Sequence, residues 1–240
     1  MRTTLTLDIL AQPDDTTCGP TCLHALYRYY GDPIALGQVI DEVPSLQGGG
    51  TLGVMLANHA LTRGYQASIY TYNLLIFDPT WFGPQVDLAD KLRQRLAVVR
   101  DRKQRQAMEA YLKFLDQGGT IHLEDLTRSL LRRFLNSGRP ILTGLNSTFL
   151  YRTMRVHGAA MTDDDIRGEV VGHFVVLCGY DRDRRTIMVA DPYSGNPYSK
   201  DRTYEVPIDR VVGAILLGVM TYDANFLIIE PRTQRKGMSA

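Results

Sequence analysis

The chain has 240 residues, 44% of them apolar and 22% charged, enough for a full hydrophobic core in one domain. A formal net charge of +1 excludes a bulk electrostatic pull towards nucleic acid or an anionic membrane. The best apolar run, "VVGAILLGVM", is far short of the ~18 residues of a membrane span. Three cysteines are an odd number without a disulfide framework, and "MRTTLTLDILAQPDD" carries no signal-peptide pattern, so free thiols in a reducing cytoplasm are expected.

In chain order, weak alternation over Thr3–Leu10 predicts a strand, and "DDTT" after Gln12-Pro13 a turn. Leu23, Leu26, Tyr27 and Tyr30 form an apolar stripe in a helix from Cys18 to Tyr30, stopped at Gly31. A second helix is expected over Leu36–Glu42. "QGGGT" reads as a flexible loop, with Thr51 as the N-cap of a helix ended by Gly64. "YQASIYTYN" alternates as a strand. Leucines at helical spacing over Val86–Leu115 predict one long helix or a hairpin of two, packing by Leu88, Leu92 and Leu96 and exposing Arg100–Arg105. The amphipathic stretch "HLEDLTRSLLRRFLNSG" predicts a helix closed by Gly138, and "RPILTGLNSTFLY" a buried strand. "RVHGAAMTDDDIRGEVV" reads as a polar linker. Then follow strands in "GHFVVLCGYD" and "RRTIMVADPYSG", the helix "PIDRVVGAILLG" and the strand "NFLIIEP". Helices first and antiparallel-type strands later predict an α+β class. The expected domain spans 1–230 with a helical insertion at about 73–119, and 231–240 is expected to be a disordered tail.

The stretch "QPDDTTCGPTCLHALYRYYG" carries the chemistry. A thiol attacks well when held as a thiolate, and a helix N-terminus favours negative charge. Cys18 stands at such a terminus. A nearby imidazole strengthens the effect and later delivers a proton, provided a carboxylate or amide orients it. His173 opens the apolar strand "HFVVLCGY", and Asp191 ends the next strand, "TIMVADP". The short polar connection "DRDRR" predicts a hairpin that sets these two strand ends side by side. Gln12, six residues before Cys18, can offer its amide to charge developing on an attacked carbonyl.

The pattern Gln-x5-Cys-Gly-Pro opening a helix, then Gly-His before an apolar strand, then Asp-Pro after another, resembles the C39-like cysteine peptidases of the papain-like superfamily. The resemblance covers roughly residues 5–72 and 120–230. It implies a papain-like fold with N-terminal helices packed on an antiparallel sheet, a peptide or amide substrate, and no cofactor. It implies Cys18 as nucleophile, His173 as its partner, Asp191 as orienter and Gln12 in the oxyanion hole. Family members fused to transporters trim double-glycine leaders. This chain shows no membrane or ATPase part, which suggests a stand-alone peptidase. Related enzymes of the same fold transfer γ-glutamyl units, so acyl transfer is the alternative reaction, and a non-catalytic binding module the alternative class. The oligomeric state stays open.

Other readings compete at single residues. Cys22 and Cys178 read as core, Cys178 on the strand face opposite His173. Cys18, Cys22 and His24 crowd together as zinc ligands do, but no C-x2-C pair accompanies them. His24, His59 and His122 are expected in helices, partly exposed or capping, and His157 in a linker. Asp191-Pro192 also suits a simple turn.

Overall fold

The computed structural model describes residues 2–46, 49–221 and 223–232. Apolar stripes at helical spacing set its helices, and unbroken apolar runs set its central strands. Strand β1 (Arg2–Thr4) is followed by helices α1 (Cys18–Tyr29), α2 (Leu36–Glu42) and α3 (Gly53–Thr62), then β2 (Tyr65–Thr71). A helical hairpin of α4 (Leu88–Val98) and α5 (Arg102–Asp116) leads to β3 (Thr120–His122), α6 (Arg128–Asn136), β4 (Ile141–Asn146) and α7 (Ser147–Tyr151). The short pair β5 (Val156–His157) and β6 (Thr162–Asp163) precedes β7 (Gly172–Asp181) and β8 (Thr186–Ala190). The chain then forms β9 (Thr203–Pro207), α8 (Ile208–Leu217) and β10 (Asn225–Pro231).

The main sheet runs β3-β2-β10-β4-β7-β8-β9, with β1 on the far end of β7. Its pairings are antiparallel except that of β2 with β3. Strand β7 is the spine. Phe174, Val176 and Cys178 pack on one face with Cys22, Leu26, Leu56, Leu92 and Phe114. Val175 and Leu177 pack on the other with Leu131, Phe134, Val211 and Ile215. Helices α1, α3 and the hairpin therefore cover one face, and α6 and α8 cover the other. Two covered faces explain why β7 is buried from His173 to Tyr180 without the alternation of a half-exposed strand.

Several elements depart from expectation, each for a local reason. The strand expected over Thr3–Leu10 is reduced to Arg2–Thr4, because β4 already pairs with Gly172–Leu177 and leaves β1 only the last residues of β7. The segment 86–115 is a hairpin broken at Val99–Asp101, where Asp101 caps α5 by accepting from Gln104 N at 2.8 Å. Arg100, Arg102 and Lys103 are exposed, but Arg105 is half-buried; its guanidinium donates to Leu96 O and Val99 O and closes the end of α4. The strand expected in "RPILTGLNSTFLY" stops at Asn146, whose side chain accepts from Phe149 N and starts α7. The helix expected from His122 begins only at Arg128, and Thr120–His122 is a strand instead. His24 and His59 are buried rather than exposed; His59 bridges Tyr27 OH (2.7 Å) and Glu42 Oε2 (2.9 Å). The polar linker holds the β5–β6 pair, with His157 exposed on it. The short run "TYEVP", given no element in the sequence reading, is β9. Pro231 ends β10 instead of opening a tail; residues 233–240 and Gln47–Gly48 of the expected loop lie outside the described residues. Among the described residues no helix is long and apolar enough to cross a membrane.

Candidate active site

Cys18 is the first residue of α1, and no side chain caps that end of the helix. The turn before it is knotted by Asp14, whose Oδ1 accepts from the backbone and hydroxyl of Thr16, both at 2.8 Å. These bonds hold the Asp14 carboxyl below its ordinary range. Thr17 and Cys18 are thereby presented to the sheet with little exposure (6% and 8%).

Hairpin pairing of β7 with β8 sets Val176 opposite Ala190, and the strand ends bring His173 to Asp191. His173 Nε2 lies 2.8 Å from Asp191 Oδ1. Cys18 is near enough to the ring to add to its electrostatics. Nε2 is taken by Asp191, so Nδ1 is the nitrogen left for Cys18. Burial pulls the imidazole down, but the Asp191 charge, its hydrogen bond and the Cys18 side chain outweigh this and push it up to about 10. Burial pushes the Asp191 carboxyl up, and the His173 charge with the bonds from His173, Tyr151 and Tyr204 reverses this and holds it below the ordinary carboxylate value.

Asp191 is fully buried and accepts four hydrogen bonds. Oδ1 takes His173 Nε2 and Tyr193 N (2.9 Å); Oδ2 takes the hydroxyls of Tyr151 and Tyr204, both at 2.6 Å. The turn reading of Asp191-Pro192 and the pairing with His173 are thus realised by the same oxygen. Tyr151 and Tyr204 were not singled out from the sequence. The signal for Tyr151 is "NSTFLY", in which Asn146 reads as a helix N-cap, while a lone tyrosine in "TYEVP" gives no comparable signal for Tyr204.

The structure brings Gln12 to the same region through its backbone. Gln12 N donates to Pro192 O (3.0 Å), and Arg202 Nε to Ile9 O (3.1 Å), which ties the segment before α1 to the turn after Asp191. The Gln12 side chain donates through Nε2 to Asp14 O at 2.8 Å, which leaves its second amide proton for another acceptor. Cys22 lies deeper: its thiol donates to Phe174 O, and burial with the neighbouring charges pushes it well above its ordinary value. Burial likewise pushes the Cys178 thiol up to about 12, and its side chain packs on the face opposite that of Val175 and Leu177. Among the described residues no group of His, Cys, Asp and Glu is placed to hold a metal ion.

No curated protein matches the chain. Among solved structures, a C39-like peptidase from Bacillus anthracis aligns with a TM-score of 0.52 at 14% identity, over 98% of this chain and 100% of that one. Xylellain, a cysteine protease from Xylella fastidiosa, aligns at 0.47 and 14% identity, over 97% of this chain and 86% of that one. A double glycine motif protease from an AMS/PCAT transporter, in complex with the leader peptide, aligns at 0.47 and 14%, over 95% and 94%. The likeness to the Bacillus anthracis structure is one of fold: the α+β architecture is the papain-like one of C39 peptidases. The model of the Peptidase_C39 like family matches residues 4–210, and the chain belongs to that family.

Proposed function

We propose that the protein is a cysteine peptidase or amide hydrolase in which Cys18 is the nucleophile, His173 its acid–base partner, Asp191 the orienter of His173, and Gln12 an oxyanion donor. The observation that carries the reading is the bond of His173 to the buried Asp191, with Cys18 beside that ring at the uncapped start of a helix. An imidazolium beside a thiol favours the thiolate, and the helix terminus adds to this.

The chemistry follows from that arrangement. Cys18 Sγ attacks the carbonyl carbon, and the oxyanion is met by the Cys18 backbone N–H and the second Gln12 amide proton. The C–N bond breaks as His173 gives its proton to the leaving amine, leaving an acyl thioester on Cys18. Water then adds to the thioester, passes a proton to His173, and the C–S bond breaks to release the acid. No step calls on a cofactor.

The test is hydrolysis of a peptide library followed by mass spectrometry. Cys18→Ala should abolish cleavage while its melting temperature stays within a few degrees of the parent, because one sulfur atom at a slightly exposed site is lost. Cleavage by a folded Cys18→Ala chain would overturn the assignment.

A further inference from the structure

Asp191 has a more elaborate setting than an orienting carboxylate requires. One oxygen suffices to hold His173, yet the second is occupied by two tyrosine hydroxyls from elements far apart in the chain, α7 and β9. A carboxylate only accepts, so both hydroxyls must donate to it. Their own ionisation is pushed far up, first by burial and then by the charge they contact, so both remain neutral donors. A fully buried carboxylate with all of its acceptor sites filled can stay charged where a bare one would take up a proton.

The supports are themselves fixed. Helix α7 is started by Asn146, and Tyr198 OH donates to Leu150 O at 2.7 Å, which steadies the turn before Tyr151. Arg210 Nη1 donates to Tyr198 OH at 2.7 Å, and the Tyr198 ring lies 4.8 Å from that of Tyr204. The titratable groups facing Asp191 are Cys22 from α1, Tyr151 from α7, His173 from β7 and Tyr204 from β9, with Cys18 beyond the His173 ring and Tyr193 and Tyr198 in the next ring outward.

We propose that Tyr151 and Tyr204 are positioning residues that act through Asp191. They lock its carboxylate so that Oδ1 faces His173 Nε2, and they keep it ionised under acidic conditions that would otherwise disband the His173 pairing. They fix the ring tautomer with its proton on Nε2 and leave Nδ1 turned to Cys18. The inference rests on the proposed role of Cys18, and it extends the acidic range over which that residue stays reactive.

The test uses iodoacetamide, a small neutral alkylating agent, and needs no substrate. The rate of Cys18 alkylation is followed against pH in the full chain and in Tyr151→Phe and Tyr204→Phe, with the modified residue mapped by mass spectrometry. Phe keeps the ring and removes only the donor. Loss of one hydrogen bond to a charged group should raise the acid limb of each variant by about one pH unit, a tenfold slower rate at a fixed pH on that limb. A purely structural role would lower the melting temperature without moving the limb. As a second measurement, the downfield imidazole N–H proton resonance of His173 should vanish at higher pH in either variant than in the parent. Should one variant fail to fold, the other carries the test. Rapid alkylation of the parent with an unmoved limb in a folded variant would overturn the tyrosine roles alone. A parent Cys18 no more reactive than a free thiol would overturn the reading of Cys18 and this inference with it.

Discussion

At the scale of single residues, the proposed reaction divides the work between Gln12 and His173 in a measurable way. Gln12 moves no proton in the proposed reaction; it meets charge that exists only in the transition state. Gln12→Ala should therefore lower turnover by roughly 10²–10³-fold, the range for one oxyanion donor, while Cys18 alkylation stays fast. The buried Oε1 of Gln12 has no hydrogen-bond partner among the described residues, and its Nε2 gives one proton to Asp14 O, so the second amide proton is the one that the proposed role uses. His173→Ala should slow alkylation and turnover together, since the imidazolium pushed up to about 10 is lost. Paired rates in the two variants check both statements, and identical behaviour would contradict the division. The pairing of His173 with Asp191 and the place of Cys18 at a helix start were legible in sequence, because a helix start and two strand ends joined by a short turn betray where those side chains stand. Tyr151 and Tyr204 were not, because a hydroxyl donor 40 or 13 residues from its acceptor leaves no spacing to read.

At the scale of elements, α3 shows why caps are harder to read than helices. Thr51 has the chemistry of an N-cap, but its hydroxyl donates to Pro44 O at 2.9 Å. The first N–H of α3, at Gly53, is instead met by Asp223 Oδ2 at 2.8 Å, from 170 residues away. Asp223 sits against Gly53 and Gly144, where a Cβ would come within 3.0 Å of the aspartate's side chain. Burial pushes its carboxyl up to about 7 despite the bonds from Asn225 and Gly53, which pull it down. The folded value lies above the ordinary one of 3.8, so the folded chain keeps a proton that the unfolded chain releases. The stabilising contribution is full below about pH 4 and is lost as pH rises to about 7. Asp223→Asn keeps an acceptor and removes the titration. The stability difference between parent and variant should shift against the parent by roughly 1.4 kcal/mol per pH unit in that window and stay flat above it. Urea midpoints at pH 5, 6 and 8 check this; a difference independent of pH would contradict it.

At the scale of the whole molecule, the site exists only in the folded chain, because α1 comes from the first thirty residues and β7 and β8 from the last seventy. Most of the longer helices and strands, and the pairing of β7 with β8, were readable from apolar periodicity and a short polar turn, whereas β3, α7 and β9 were not. The second helical layer was harder to see: full burial along β7 and an amphipathic α6 require it, but periodicity does not say which helix covers which face. The hairpin of α4 and α5 is bound into the core that carries Cys22, with Leu92, Met108, Tyr111 and Phe114 almost fully buried and Asn58 Nδ2 donating to Ala110 O. Burial of four such side chains contributes roughly 6–12 kcal/mol, comparable with the net stability of a domain. A chain lacking residues 87–117 should therefore lose its cooperative thermal transition, and a sharp, unchanged transition in circular dichroism would contradict this. The central claim is that acyl transfer passes through Cys18, and burst kinetics with an activated nitrophenyl ester, quenched in acid, test it most directly. The account predicts one equivalent of nitrophenol per chain in the burst and an acyl adduct on the peptide containing Cys18, on its sulfur and not that of Cys22. Hydrolysis with no burst and no adduct, or an equal burst from Cys18→Ala, would contradict it.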